Sequence, residues 1–377
     1  MEKIKKAITI LLLLAMMLST VSALAEGVME GYDPAWYGPD ARSTMSVKRA
    51  TEGEDEVVYG PKIAADFFAF SPNLRQISKE LVEQGMSQKE ANAEATRQTM
   101  RIIGEMGFQG VQMTPWFSWW DIDAAELKAI CDEYGLEQLD TQWITYLYWS
   151  EEEWEYYLAY MKEADVPGIC VDHNTPSQRV TQDVTKPMTQ DDLAAWAQRT
   201  IDDINYVFDH YKKYGYEDMT VAYHAHSWEL VPIRAFGFRN MCEIVHDTFG
   251  DAVAMDIDTA WAAVSHLGNT EHVQEAYQDH LLGRDGLVDY LWENGNMFKW
   301  LRLEDVDVKT GLSLPVGQGS LDWKEILSAV QAHGCEWLII QDHDQASFNR
   351  DIYQSFQCSL DYLEQMYITL GWTLPEN

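Results

Sequence analysis

Two pairs of side chains have the type and spacing of catalytic or ligand-binding groups. His224 and His226 are separated by one residue, and so are Asp256 and Asp258. Because side chains alternate along a β-strand, both members of each pair would face the same side of a sheet. Two imidazoles so placed can bind a divalent ion or hydroxyl groups, although either histidine alone can equally be a core residue bonded to a backbone carbonyl. Two buried carboxylates need a cation, a hydrogen-bond donor or a shared proton, so we expect a metal ion or an arginine beside them.

Within these pairs the roles are expected to differ. Asp258 lies closer to the end of its apolar run, which makes it the better candidate ligand, together with His226. Asp256 can instead orient a neighbouring histidine or Arg302. Glu229, three residues beyond His226, can join the same site or cap the loop that follows.

Polar and aromatic residues also end most of the other short apolar runs. Any one of them is more often a loop residue or a satisfied core group, but their convergence indicates a site. Trp116, Trp143 and Trp261 offer flat indole faces that stack on the C–H faces of sugar rings, which predicts a small carbohydrate as ligand. The polar residues of this set are Gln112, Gln142, Asp172, His173, Arg302, Asp305, Gln341, Asp342 and His343.

The elements that would position these residues alternate between short β-like runs and longer amphipathic stretches. Such alternation is typical of α/β proteins, and eight repeats predict one (β/α)8 TIM barrel over residues 61–372, with its site at the carboxyl ends of the strands. An open doubly wound sheet usually has fewer strands and a glycine-rich phosphate turn after the first. Here the first run leads into Ser71-Pro72-Asn73. The predicted strands are 64–70, 110–115, 136–144, 168–172, 219–226, 253–261, 298–306 and 337–342, and the predicted helices are 89–106, 124–134, 151–164, 191–214, 238–249, 322–333 and 349–366.

The N-terminal residues predict export. Residues 1–25 combine three lysines, an apolar run and a small-x-small sequence before Glu26, which together are typical of a cleaved signal peptide, although an uncleaved signal anchor is an alternative. Residues 26–60 lack periodicity and predict an extended or disordered lead-in. We therefore expect a secreted or extracytoplasmic protein without a membrane partner after cleavage.

Charge and cysteine usage exclude several classes of function. A net charge of −34 disfavours nucleic acid and anionic membranes, because an acidic surface gains nothing from counterion release. The five cysteines are widely spaced and odd in number, which fits neither a disulfide scaffold nor a CxxC zinc site. Most are expected to be small core residues, and one disulfide of undetermined pairing remains open. The sequence does not indicate an oligomeric state.

Three motifs carry a resemblance that covers about residues 63–366. At these motifs the chain resembles the sugar phosphate isomerase/epimerase group of xylose-isomerase-like TIM barrels, including its exported members. Strand ends of the family's Tyr-His-Asn-His and Leu-Asp-x-x-Trp types, and its Val-Gly-x-Gly-x-x-Asp loop, are matched by Tyr223-His224-Ala225-His226, by Ile257-Asp258-Thr259-Ala260-Trp261 and by residues 316–322. The glycines of this loop indicate loop geometry first, with Ser320 or Asp322 capping the next helix.

The resemblance implies a divalent cation (Mn, Mg or Zn), but four positions depart from the family pattern. Arg302 stands where the family commonly has a histidine and Gln341 where it has a glutamate, while Gln112 and Gln142 replace a glutamate and a histidine. A divalent ion prefers carboxylate and imidazole ligands, and an arginine among them would repel it. We therefore expect weak or absent metal binding, with Arg302 close enough to Asp258 to form an ion pair in place of the metal.

Two hypotheses of different classes follow. In the first, the protein is a sugar isomerase or epimerase that moves a proton between adjacent carbons. The second is a carbohydrate-binding protein on a barrel that has lost catalysis. A lyase or hydrolase using Asp256 and Asp258 is less favoured, because paired carboxyls of one strand cannot flank a glycosidic bond. If catalysis persists, the resemblance and the residues assign proton transfer to Glu229, Asp342 or Glu304, and oxyanion stabilisation to Arg302. His226 and Asp258 would bind the metal or the substrate. The residues expected to bind substrate are His224, Trp116, Trp143, Trp261, Gln341 and Gln112.

Overall fold

In this computed structural model, eight parallel strands close into a barrel, as the alternating pattern predicts. The structure describes residues 58–113, 121–144, 149–172, 189–226, 228–263, 282–309, 312–341 and 351–375. The barrel strands are β1 Lys62–Asp66, β2 Gly110–Met113, β3 Glu137–Ile144, β4 Gly168–Asp172, β5 Thr220–Ala225, β6 Val253–Asp258, β7 Phe298–Leu303 and β10 Trp337–Ile340, and a hairpin of β8 Asp305–Asp307 and β9 Leu312–Leu314 follows β7. Around the barrel the strands follow the order β1-β10-β7-β6-β5-β4-β3-β2.

Helices surround the barrel and are delimited by local capping signals. The helix Gln88–Met106 begins with Ser87, whose hydroxyl accepts a hydrogen bond from the Glu90 amide while the Glu90 side chain returns to the Ser87 amide. It ends at Gly107, whose φ of 94° suits glycine. The described helices are α1 Ser71–Glu83, α2 Gln88–Met106, α3 Ala124–Tyr134, α4 Glu151–Ala164, α5 Gln190–Tyr214, α6 Met241–Phe249, α7 Thr259–Ala263, α8 Gly283–Asn294, α9 Trp323–Ala332 and α10 Ile352–Leu370.

Three predicted strands are too long, for local reasons. The first ends at Asp66, because its carboxylate accepts a hydrogen bond from Phe68 N and starts a 3-10 turn. The sixth ends at Asp258, whose carboxylate accepts from Trp261 N in the same manner. After β7, Asp305–Asp307 pairs with β9 instead of extending the barrel strand. Helices α1, α7 and α8 are not among the helices predicted from the sequence, and α7 begins inside the predicted sixth strand.

A layer of apolar side chains fills the part of the barrel nearer to the amino ends of its strands. Trp300 and Trp337 are its two largest members, and the small side chains of Ala64, Ala222 and Ala254 leave room for them. Every member is at most 8% exposed. The layer consists of Ala64, Leu139, Cys170, Ala222, Ala254, Trp300, Trp337 and Ile339.

The two ends of the described chain meet beside the barrel. Gly60 N donates to Thr373 O at 3.0 Å, and Thr373 N donates to Val58 O at 2.8 Å. Gly60 is tightly enclosed, because a Cβ atom there would lie 2.5 Å from the ring of Tyr367. Residues 58–60 therefore pair with the C-terminal segment, just before the predicted barrel boundary at residue 61.

The cysteines and helices bear on two further expectations. All five cysteines are free thiols, and Cys131, Cys170, Cys242 and Cys335 are buried, as expected for small core residues. Among the described helices, none combines the length and apolar character needed to cross a membrane.

Candidate active site

Above the apolar layer, the next inward-facing residues of the barrel strands are polar. They follow from strand parity, since Ala64, Ala222, Ala254, Trp300 and Ile339 each precede a polar residue by two positions. None of these inward-facing polar side chains is more than 2% exposed. This polar layer consists of Asp66, Gln112, Asp140, His224, Asp256, Arg302 and Gln341.

Arg302 is the centre of the polar layer. Its Nη1 donates to Gln341 Oε1 at 2.6 Å, and its Nη2 donates to Gln112 Oε1 at 2.6 Å and to Asp256 Oδ2 at 3.1 Å. Asp66 Oδ2 lies 3.5 Å from Nη1 in a second ion pair. One guanidinium on β7 thus joins β1, β2, β6 and β10, and a buried charge with so many partners is well compensated.

His224 and Asp256 form a buried imidazole–carboxylate pair. Their strands place them side by side in register, and His224 Nδ1 is hydrogen-bonded to Asp256 Oδ1. Burial alone would raise the pKa of Asp256, but the charges of Arg302 and His224 outweigh it and hold that pKa below its ordinary value. An ionised Asp256 accepts a hydrogen bond from His224 Nδ1–H and leaves Nε2 as the His224 nitrogen available for acid–base chemistry.

Asp258 lies two residues beyond Asp256 on β6, on the same face of the strand, and has a different environment. Its Oδ1 accepts from Trp261 N at 3.0 Å and its Oδ2 from Gln341 Nε2 at 3.2 Å. Burial raises its pKa to about 6, against the opposing effects of His224, Trp261 and Arg302. Near neutral pH both protonation states of Asp258 are accessible, as proton transfer requires.

His226 and Glu229 are joined by a hydrogen bond just after the end of β5. Glu229 is fully buried and accepts from His226 N at 2.8 Å and from the Tyr223 hydroxyl at 3.5 Å. The His226 ring lies 4.2 Å from the His224 ring and 5.4 Å from that of Trp261, centroid to centroid. These contacts show Glu229 positioning the strand end, and its predicted role in proton transfer stays a prediction.

Sequence reasoning missed two carboxyls of the polar layer, Asp66 and Asp140. Asp66 was hidden inside a predicted strand that in fact ends there. Asp140 lies at a β-bulge, since Val111 and Met113 of β2 pair with Gln138 and Thr141 of β3. Neither Asp140 oxygen has a hydrogen bond of normal geometry to a described residue. Burial and the nearby Asp256 charge raise the Asp140 pKa well above its ordinary value, against Arg302 and Gln112.

Several predicted site residues lie elsewhere or outside the described residues. Trp116 and Asp342 are outside them, and so are His173 and His343, while the side chains of Trp143, Gln142 and Asp172 are likewise not described. Trp261 is partly buried beside His226. Asp305 does not face the barrel, because its carboxylate accepts from Gly317 N, Gly319 N and Trp323 Nε1. Glu304 is buried and accepts from the Ser313 hydroxyl, and its predicted role in proton transfer stays a prediction.

The predicted ion pair between Arg302 and Asp258 is replaced by a bridged arrangement. The guanidinium bonds to Asp256 on the neighbouring strand β6 and reaches past β10 to Asp66 on β1, and Gln341 connects it to Asp258 through both ends of its amide. The length of the arginine side chain explains the difference, since Arg302 and Asp258 are themselves register partners on β7 and β6.

A divalent cation does not fit the donor set. The four positions that the family pattern assigns to ligands hold His226, Asp258, Arg302 and Gln341. Only one is a carboxylate, and the Gln341 oxygen is already bonded to the guanidinium. Within the described residues, no three His, Cys, Asp or Glu side chains are grouped to hold a metal ion.

Comparison with known proteins agrees with this architecture. A family model described as xylose isomerase-like TIM barrel matches residues 100–361. No curated protein matches the chain. Among solved structures, a sugar phosphate isomerase/epimerase from Parabacteroides distasonis aligns with a TM-score of 0.53 and 16% identity, over 84% of this chain and 98% of that one.

Two further structures have the same fold. L-ribulose 3-epimerase aligns with a TM-score of 0.51 and 11% identity, over 82% of this chain and 95% of that one. A probable 3-DHS dehydratase of petrobactin synthesis from Bacillus anthracis aligns with a TM-score of 0.50 and 11% identity, over 80% of this chain and 98% of that one. The match of the family model, over more than half of the sequence, shows that the chain belongs to the xylose isomerase-like TIM barrel family.

Proposed function

We propose that this protein is a sugar isomerase or epimerase that moves a proton between adjacent carbons of a small carbohydrate. The observation that carries the proposal is the His224–Asp256 pair, placed beside an Asp258 whose pKa is raised to about 6, at the carboxyl ends of the strands. In barrels of this kind the active site lies at that end. Two acid–base groups of different environment suit a reaction in which one proton is removed and one returned.

The chemistry needs no oxidant or second substrate. A base removes the proton from the carbon next to a sugar carbonyl, and the electron pair moves to the carbonyl oxygen, which gives an enediolate. Return of the proton to the former carbonyl carbon, with transfer of the hydroxyl proton from the neighbouring oxygen to the enediolate oxygen, gives the isomer. Return of a proton to the opposite face of the original carbon, with the electron pair moving back from the oxygen, gives the epimer. Asp258 and His224 Nε2 are the groups that we assign to these transfers, with Asp256 holding the His224 ring.

The substrate class rests on two supports. Similar structures include a sugar phosphate isomerase/epimerase and L-ribulose 3-epimerase, by their names proteins that act on sugars. In this chain, Trp261 lies at the edge of His226, where an indole face can pack on a sugar ring. Trp116 and Trp143 stay predictions as further stacking groups.

A binding protein without turnover is the second candidate. It is favoured by Arg302 and Gln341, which stand where the family pattern has metal ligands and are bonded to each other. Such a site can hold a sugar through its polar layer and still lack a catalytic metal.

The experiment that separates these functions is proton NMR in D2O with a panel of pentoses, hexoses and their phosphates. We expect enzyme-dependent loss of the C–H signal next to the carbonyl and appearance of an isomer or epimer. Asp258→Asn should reduce the exchange rate at least about 100-fold, the usual scale of acid–base catalysis. Asp289→Asn, an exposed change on α8, is the matched control. Saturable binding without exchange would support the binding protein, and neither binding nor exchange would overturn both.

We also propose that the protein is exported, from the signal-like residues 1–25. Mass spectrometry of the N terminus should find the mature chain beginning near Glu26 in the extracytoplasmic fraction. A protein that retains Met1 and stays in the cytoplasm would contradict this.

A further inference from the structure

The guanidinium of Arg302 provides a positive charge at the centre of the barrel. Arg302 is 1% exposed, and its guanidinium is held from four strands by Gln341, Gln112, Asp256 and Asp66. An arginine does not lose its proton in a protein, so this positive charge is permanent. The barrel therefore has a fixed cation where the carboxyl ends of its strands converge.

The same contacts occupy the groups that a metal ion would need. Gln341 gives its oxygen to Arg302 and its amide nitrogen to Asp258, and the other Asp258 oxygen accepts from Trp261 N. A divalent ion bound by Asp258 would have to break these bonds. It would also lie near the guanidinium in a buried environment, where repulsion between like charges is poorly screened.

We propose that the Arg302 guanidinium takes the place of a divalent metal in this barrel, so that the site is assembled and works without a metal ion. Arg302 neutralises Asp256 and Asp66, keeps Asp256 available to orient His224, and fixes Gln341 against Asp258. In this arrangement Arg302 is a positioning residue, and the charge that organises the site is part of the sequence.

Metal binding tests the proposal without any measurement of turnover, so it can fail separately from the proposed function. Chelator-treated full-length protein is titrated with Mn2+ and with Zn2+ by calorimetry, and bound metal is counted by mass spectrometry. We expect the wild type to bind neither ion with a dissociation constant at or below about one micromolar. Micromolar or tighter binding that Asp258→Ala abolishes would overturn the proposal.

A gain-of-binding variant makes the test sharper. Replacing Arg302→His and Gln341→Glu together removes the guanidinium and adds an imidazole and a carboxylate beside Asp258 and His226. We expect at least about 100-fold tighter binding of Mn2+ or Zn2+ than in the wild type, and a rise of the melting temperature on metal addition that the wild type does not show. Arg234→His, a change of an exposed arginine, is the control and should gain nothing.

The variants also cover the case of misfolding. Circular dichroism establishes whether the double variant is folded before titration. A folded double variant that binds no metal would contradict the idea that Arg302 occupies a cation position. If the double variant is unfolded even with metal present, the wild type and Asp258→Ala decide the question alone.

Discussion

At the scale of single residues, one guanidinium has to serve four buried carboxyls. Arg302 forms ion pairs with Asp256 and Asp66, and its charge also acts on Asp140 and Asp258. A carboxylate in a low-dielectric interior takes up a proton more readily than one in water. Burial accordingly raises the pKa of Asp66, Asp140 and Asp258 against the opposing charge of Arg302, and only at Asp256 do the charges of Arg302 and His224 together outweigh burial.

Asp258 predicts a specific pH dependence of stability. Its pKa is raised from 3.8 to about 6 in the folded protein, so the stability it contributes is complete below the unfolded pKa and is lost as the pH rises through about 6. Asp258→Asn cannot ionise and lacks this loss. Between pH 4 and pH 7, the free energy of unfolding of Asp258→Asn should therefore rise relative to wild type by about 2 kcal/mol, at about 1.4 kcal/mol for each pKa unit, because the unfolded carboxyl is already partly ionised at pH 4.

Urea unfolding at both pH values checks this prediction. Asp289→Asn, which changes an exposed carboxyl, should leave the pH profile of the wild type unaltered. Parallel profiles of wild type and Asp258→Asn would show that the Asp258 carboxyl is not perturbed in the fold.

Replacement by asparagine should have opposite effects on the free energy of unfolding at Asp140 and at Asp256. The Asp140 pKa is raised well above normal by burial, so Asp140→Asn replaces a costly ionisation with a neutral group and should be neutral or stabilising, increasingly so as the pH rises to 8. Asp256→Asn instead removes an ionised partner of Arg302 and of His224. It should cost about 3 to 5 kcal/mol, as loss of one partner of a buried ion pair does.

Chemical denaturation of the two variants at pH 7 and pH 8 gives the comparison. The variants are matched, because both replace a buried carboxyl of the polar layer with its amide. If Asp140→Asn and Asp256→Asn destabilise the protein equally, Asp140 is ionised and paired in the fold. That result would contradict the raised pKa of Asp140.

At the scale of elements, Asp305 anchors the glycine loop to the β8–β9 hairpin. Its Oδ2 accepts from Gly317 N at 3.0 Å, Gly319 N at 2.9 Å and Trp323 Nε1 at 2.7 Å. Its Oδ1 accepts from Leu321 N at 3.2 Å and from Val306 N at 2.8 Å. The loop is close-packed here, because a Cβ atom on Gly319 would lie 2.2 Å from Asp305 Oδ1.

Asp305→Asn should therefore destabilise the protein strongly. In either orientation the new NH2 group faces at least two N–H donors, so these donors lose their acceptor inside the protein. We expect a loss of at least about 2 kcal/mol, since each unsatisfied buried donor costs about 1 to 3 kcal/mol. Thermal and urea unfolding measure it, with Asp307→Asn as control, because its single contact with Lys309 N at 2.9 Å can be kept by an amide oxygen. A loss below about 1 kcal/mol for Asp305→Asn would contradict the anchoring role.

At the scale of the whole molecule, the barrel is closed by contacts between distant parts of the chain. Residues 58–60 pair with Thr373, and Lys62 N donates to Glu336 O at 2.9 Å. The Tyr367 hydroxyl donates to Pro61 O, which joins α10 to the first strand. The first described residues are thus held by the C-terminal segment, and we expect the N-terminal boundary of the folded unit to lie with them.

Two truncations locate this boundary. A chain that begins at Val58 should melt within about 2 °C of the full-length protein, whereas a chain that begins at Lys62 should melt several degrees lower, because about 1 to 2 kcal/mol of backbone pairing and Gly60 packing are lost. Differential scanning calorimetry measures both. Equal melting temperatures for the two truncated chains would place the boundary at residue 61, as the sequence alone predicts.

Local patterns explain why much of the fold could be predicted. Runs such as Thr220–Ala225 are apolar and bounded by turns, and the residues of α3 Ala124–Tyr134 and α4 Glu151–Ala164 have helical periodicity with caps. Strand parity also placed His224 and His226 on one face of their strand, and Asp256 and Asp258 on one face of theirs, because alternation is a property of any strand. Helices α1 and α8 were missed because Ser71-Pro72-Asn73 and Gly283 carry turn signals that here begin a helix.

By itself, then, the sequence determined the barrel, the order of its strands along the chain and the face on which His224, Asp256, Arg302 and Gln341 lie. The tertiary structure decided which of them touch. Arg302 extends across the barrel to Gln112 and Asp66, and a bulge turns Asp140 inward. Both depend on barrel closure and on register between strands far apart in the chain, whereas periodicity reports only neighbours within one element.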